Sequence, residues 1–178
     1  MHPTEFYQQQ INDTSIKLSR VKRVALMISI SRLLVFVLTI TIAYYVWSSS
    51  LILGVTIFIG FALFLFLVSL YTNLKHQRTY FELLIQLNKN ELDGLSGNFA
   101  AFNCGKEYKN SFHAFSEDMD LFGKGSIFQS INRSATVSGE QKLAAILGSN
   151  NLEFILEKQN AIRELAQKSF WRQSFRVN

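Results

Sequence analysis

Residues 33–74 contain no charged side chain, a run of 42. A helix crossing ~30 Å of hydrocarbon needs about 20 apolar residues, so this run is long enough for two crossings. The triplet Ser48-Ser49-Ser50 divides it near the middle. The expected spans are about residues 25–47 and about residues 51–72. Each must be helical, because only a helix satisfies its own backbone hydrogen bonds where water is absent. Tyr44, Tyr45 and Trp47 at the turn, with Tyr71 at the far end, suit rings that sit at headgroup depth.

The charges outside the run set its orientation. Residues 17–32 hold five cations, Lys17, Arg20, Lys22, Arg23 and Arg32, and no anion. Lys75, His76 and Arg78 follow the second span. Cationic flanks at both ends place both termini on the cytoplasmic side and the serine turn outside. Arg32 lies about two turns into the first span, where its stem can snorkel toward the headgroups. A cleaved signal peptide is excluded: more than 20 polar-rich residues come first, and the apolar run is too long. With Arg32 the sole ionisable group in the segment, an anchor is a better reading than a pore or transporter. Gly60 and Ala62 hint weakly at close helix contact.

The net charge of +5 and pI near 9.4 could suggest nucleic acid. From Lys75 onward, however, 13 basic residues face 11 acidic ones, so the excess belongs to the membrane flank. One cysteine, Cys104, excludes a disulfide framework and paired-cysteine zinc sites. His2, His76 and His113 are too dispersed for a local metal cluster.

Residues 1–23 read as a polar cytoplasmic helix with a break at Asp13-Thr14, leading into the hairpin at residues 24–73. Leu74, Phe81, Leu84, Ile85 and Leu92 recur near helical spacing, so residues 74–93 extend the second helix. Asp93-Gly94 and Ser96-Gly97-Asn98 end it. Residues 94–125, with five glycines, read as a loop-rich linker with short extended pieces. Residues 126–178 form a last helical region. In it, Ser126 to Gln129 spells a capping box, and Ser138 to Gln141 repeats the device for a helix that Gly148 stops. Asn150 or Asn151 opens a longer helix with Leu152, Ile155, Leu156, Gln159, Ile162 and Ala166 on one face. Phe170, Trp171 and Phe175 follow. These apolar stripes are more than so small a core needs, and call for further chain to pack against. The fold class is therefore mainly α, a two-helix transmembrane hairpin followed by a small all-α region.

No catalytic, cofactor or metal set is legible. Gly105-Lys106-Glu107 and Gly123-Lys124-Gly125-Ser126 fail the phosphate-loop pattern, the latter because Asp118 stands where the first glycine belongs. Glu117, Asp118 and Asp120 match no EF-hand spacing and read as turn carboxylates. His113 has no nucleophile or second histidine at motif spacing, and Cys104 no activating neighbours.

The stretch from His113 to Gly139 resembles a hallmark of one branch of the MutS family, the membrane-anchored MutS-like proteins of bacteria. The pattern runs H-x-[YF]-x-x-D-[LM]-D-[LIV]-F-G-x-x-S-[LI]-F-Q-x-[LI]-N-R-[TS]-x-T-x-x-G. Here His113, Asp118, Asp120, Phe122, Gly123, Ser126, Phe128, Gln129, Asn132, Arg133, Thr136 and Gly139 fill it. Residues 159–165 and 171–175 resemble the next two blocks, and the likeness covers about residues 90–178. The resemblance implies that residues 126–178 begin a lever, or core, domain. It also implies that an ABC-type ATPase binding ATP and magnesium lies beyond Asn178, and that the chain is the N-terminal part of a longer protein. On this reading the chain itself is not an enzyme and holds no cofactor. Its implied location is the bacterial inner membrane, and its partners are the lipid bilayer, its own ATPase domain, a second copy in a homodimer and, by family alone, DNA. Phe115-Ser116-Glu117 spells the family's mismatch-reading F-x-E, but lies in the hallmark instead of a reading domain.

The same resemblance suggests that residues 126–139 form a helix-turn-helix coupled to ATPase movement. Asn132 and Arg133 would brace its turn, with Asp118 or Asp120 as partners; the plainer reading is that these residues only cap and brace helices. The competing function is a small membrane-tethered interaction module without an ATPase.

Overall fold

The computed structural model describes residues 2–110, 116–149 and 153–177. All regular structure among them is helical. Two long helices come first, α1 (Pro3–Tyr45) and α2 (Ser50–Leu95). A 3₁₀ turn at Lys106–Tyr108 is followed by α3 (Ile127–Ile131), α4 (Val137–Leu147), α5 (Ile155–Gln167) and α6 (Ser169–Val177). The chain divides into two compact units, one of Asn12–Leu83 and one of Met1–Ile11 with Leu84–Asn178.

The first unit is an antiparallel helical hairpin. Both α1 and α2 are long and apolar enough to cross a membrane, with windows of mean hydropathy 2.3 and 2.9 that are almost entirely unburied within the protein. Leu34, Leu38, Phe58 and Phe66 are each more than half exposed. An apolar surface this continuous is unfavourable in water and fits a lipid environment. The threonines in it do not leave their hydroxyls unpaired. Thr39, Thr41 and Thr56 donate to the carbonyls of Val35, Val37 and Ile52 one turn back, at 2.7, 2.9 and 2.9 Å. The turn falls at the serine triplet, where Ser49 N–H donates to the Val46 carbonyl at 3.0 Å.

The two helices approach each other closely at Gly60. It is buried, and a Cβ there would stand 2.3 Å from Thr39 Oγ1. The weak hint in the sequence thus corresponds to a real close approach, of the small-residue kind that packs membrane helices. Gly60→Ala is expected to lower the thermal midpoint of the detergent-solubilised hairpin, and a second change, Thr39→Ala, to restore it. An unchanged midpoint in Gly60→Ala would show the approach to be unimportant.

Arg32 also has partners on the opposite helix. Its guanidinium lies over the rings of Phe64 and Tyr71, at 5.7 and 5.8 Å from their centroids, on the opposite helix. Nearer the open end, Glu82 receives both Lys22, at 3.1 Å, and Arg78, at 3.0 Å. Hydrogen bonds from Arg78 and then Lys22 hold its carboxyl below the usual carboxylate range. Arg20, Arg23 and Lys75 are exposed.

The expected break at Asp13-Thr14 does not occur: α1 runs unbroken from Pro3, and Thr14 is buried at 3% exposure. One Asp-Thr pair costs only a few tenths of a kcal/mol of helix propensity per residue, too little to stop a helix this long. The end of α2 does match expectation. Gly97 adopts φ +88, Asn98 N–H donates to the Asp93 carbonyl at 2.9 Å and Gly97 N–H to that of Gly94 at 3.0 Å. This is a Schellman cap, and only a residue free of the Cβ penalty enters it cheaply.

The second unit has a small apolar core of Phe102, Leu121, Phe128 and Ala144. Phe128 is fully buried, with the rings of Tyr108 and Phe122 each 5.5 Å away. Much of the remaining interior is polar: Asn88, Ser116, Ser126, Gln129, Asn132 and Gln173 are all buried. By contrast α5 buries nothing, and Leu156 and Ile162 are 72% and 66% exposed. The linker at 94–125 contains the 3₁₀ turn, and its described residues include none of the extended pieces expected there. The proposed opening of α5 at Asn150 or Asn151 lies outside the described residues; the helix itself begins at Ile155.

Candidate functional site: the clasp around Glu91

Ser126 caps α3 as its sequence indicates, accepting from Gln129 N–H at 3.2 Å. The second half of the expected box is different. Gln129 reaches past Ser126 to accept from Gly125 N–H at 2.7 Å, and its amide donates to the Phe102 carbonyl at 3.0 Å. Ser126 N–H is already taken by the Gly123 carbonyl, which is why the glutamine finds the next free donor. Gly123 N–H in turn donates to the Cys104 carbonyl at 2.8 Å. Three amides of Gly123-Lys124-Gly125-Ser126 are therefore already engaged, so the segment is not a free phosphate cradle.

The turn between α3 and α4 is held by Asn132 and Arg133. Asn132, 6% exposed, donates through Nδ2 to Glu140 Oε1 and accepts from Ser134 N–H at 3.1 Å. Those two bonds draw the chain into α4 early. The cap is consequently Thr136, which accepts from Gly139 N–H at 3.1 Å, and not Ser138 as the sequence pattern indicated. Ser138 lies inside the first turn. Thr136→Ala should therefore cost about 1 kcal/mol and Ser138→Ala only a few tenths, measured by chemical unfolding. Equal losses would put the cap elsewhere. Gly148 stops α4, donating to the Ala144 carbonyl at 3.0 Å.

Arg133 does not pair with Asp118 or Asp120. Both aspartates are exposed in a turn at 117–120 that backbone bonds define, with Asp120 N–H donating to the Glu117 carbonyl at 3.1 Å. Arg133 Nε instead donates to Glu91 Oε2 on α2 at 2.8 Å, and its Nη1 to the carbonyls of Ser130 and Asn132. Its guanidinium stacks on Phe102, 3.6 Å from the ring centroid. Gly94 leaves the room for this, since a Cβ there would come 3.2 Å from Arg133 Nη2.

The other oxygen of Glu91 takes Arg176 Nη1 of α6 at 2.9 Å. One turn earlier on α2, Asn88 is fully buried. It donates to the Leu84 carbonyl at 2.7 Å and accepts from Gln173 Nε2 of α6 at 2.7 Å. Tyr7, half-buried, sits close enough to feel all these charges. Burial and then Glu91 raise its phenol above the ordinary value, while Arg172, Arg133 and Arg176 pull the other way.

Of the residues singled out from the sequence, the structure brings Arg133 to the clasp, with Asn132 and Thr136 shaping its turn. Phe122, Gly123, Ser126, Phe128 and Gln129 form the small core and loop beside it, Gly139 is the capped amide, and Asp118 and Asp120 stay outside. His113 lies outside the described residues. Glu91, Asn88, Gln173 and Arg176 were not foreseen. The available signal was Asn88, a polar residue four positions after Leu84 on an apolar helical stripe. Among the described residues, no three His, Cys, Asp or Glu side chains gather as a metal site. No family model, no curated protein and no solved structure matches this chain.

Proposed function

We propose that this chain is the membrane anchor and the opening of the lever domain of a MutS-like ATPase. The reading places the hairpin in a bacterial inner membrane with both termini cytoplasmic. ATP, magnesium and DNA binding would belong to the whole protein, since neither glycine-lysine segment of this chain matches a phosphate loop. The resemblance of residues 113–139 supports the family, and one geometric observation supports the coupling role. Arg133, in the turn of the hallmark helix-turn-helix, is fastened to Glu91 of α2, the same continuous helix that carries the second apolar stretch. A lever whose first turn is pinned to an anchor helix has a fixed point against which to move.

The second reading, a tethered interaction module, draws on the exposed apolar row of α5 and on Phe170, Trp171 and Phe175 of α6, each more than half exposed. Blotting native membranes with an antibody to residues 75–178 separates the two. A product of several hundred residues that cross-links to a photoreactive ATP analogue is the expected result. A product near the 20.4 kDa of this chain would overturn it in favour of the interaction module.

A further inference from the structure

A cavity of about 350 Å³ opens within the second unit, between the first turns of α1, the end of α2, the turn before α4, and α6. Tyr7, Arg133, Arg172, Arg176, Trp171 and Phe175 line it, with Glu91 at its wall. Three guanidinium groups against one carboxylate leave two unmatched positive charges. Glu91 carries a single negative charge, and each of its oxygens already accepts from one guanidinium, Arg133 or Arg176. Arg172 is the least committed of the three, its side chain reaching, among the described residues, the Ala166 carbonyl at 3.5 Å. Guanidinium forks match the oxygens of phosphate and bond them in pairs.

The rest of the wall is apolar. The rings of Trp171 and Phe175 stack at 5.4 Å with an interplanar angle of 12°, and Leu87 and Leu165 complete the surface. The volume is within the range of small-molecule sites, which combine an apolar lining with a few convergent polar groups. We propose that this cavity binds an organic phosphate, a dianionic monoester head held by Arg172 and Arg176 with an aromatic or aliphatic body against Trp171 and Phe175. The site stands independently of whether an ATPase belongs to the protein.

Trp171 reports on its own site once Trp47, the other tryptophan, is changed to Phe. The full chain carrying Trp47→Phe, in phosphatidylcholine nanodiscs, is titrated with phenyl phosphate, inorganic phosphate and benzyl alcohol. Saturable quenching by phenyl phosphate is expected, weaker binding of inorganic phosphate, and none of benzyl alcohol. Arg172→Gln, which leaves the Glu91 pairs intact, should weaken phenyl phosphate about tenfold without moving the unfolding midpoint. Nanodiscs containing phosphatidic acid distinguish the source. Quenching already present there, and lost in Arg172→Gln, assigns the site to a lipid headgroup; unchanged affinity for phenyl phosphate assigns it to a soluble ester. No saturation in either lipid, equal binding of benzyl alcohol, or full affinity in Arg172→Gln would overturn the site.

Discussion

Glu91→Ala is expected to destabilise the second unit by about 3–5 kcal/mol, the largest loss for any single change at the clasp. The side chain is 13% exposed, and its partners Arg133 and Arg176 are 28% and 23% exposed. Removing the carboxylate leaves two partly buried cations facing each other with nothing between them. The cost is therefore that of stranding charge, and exceeds the net contribution of the pairs themselves. Chemical unfolding of the detergent-solubilised chain, followed by Trp171 fluorescence in a Trp47→Phe background, measures it. A double-mutant cycle of Glu91 with Arg133 should give a coupling of about 0.5–3 kcal/mol, whereas losses in Arg133 and Asp120 variants should simply add. Coupling to Asp120 in place of Glu91 would mean that the clasp is wrongly drawn.

Phe128→Ala should cost about 3–5 kcal/mol by a different route. Among the described residues Phe128 is the largest wholly buried side chain, and the backbone of Gly105 approaches it so closely that a Cβ there would meet its Cδ1 at 2.6 Å. Gly105 also holds φ +64, the left-handed region that glycine enters without penalty, which lets the loop backbone lie directly against the ring. Among the described residues few apolar side chains are buried beside it to make good the loss. Hydrogen exchange across 102–128 is the most direct measurement. Protection there should fall together with global stability in Phe128→Ala, while Phe122→Ala, at a half-buried ring, should have a smaller effect. Wild-type protection in Phe128→Ala would show that the loop is held by its polar bonds alone.

The two changes probe the two kinds of interior that this unit possesses. Around Phe128 the packing is aromatic and local in sequence. Around Asn88 and Glu91 it is polar and joins residues 85 apart, as in the Gln173–Asn88 and Arg176–Glu91 pairs. Buried polar pairs are exacting about geometry: each member must find its partner or bear the full desolvation cost. The Arg133 turn and α6 are therefore held in one arrangement on α2, while α5, with no buried residue, is not so constrained.

Features set by short, fixed spacings were legible in the sequence. The 42-residue uncharged run and its serine triplet specified two apolar helices and the place of their turn. Ser126 as a cap, Gly97 as the end of α2 and Gly148 as the end of α4 depend on hydrogen bonds reaching at most five residues. Tertiary structure decided the rest. Arg133 passed over the aspartates 13 and 15 positions away for a glutamate 42 positions away, because α2 offers a shielded carboxylate beside Phe102. The cap of α4 moved from Ser138 to Thr136 because Asn132 and Glu140 met. Sequence spacing determines which bonds a chain can make with itself locally. Which distant surface shields a charge depends on how the helices pack, and no local pattern encodes that.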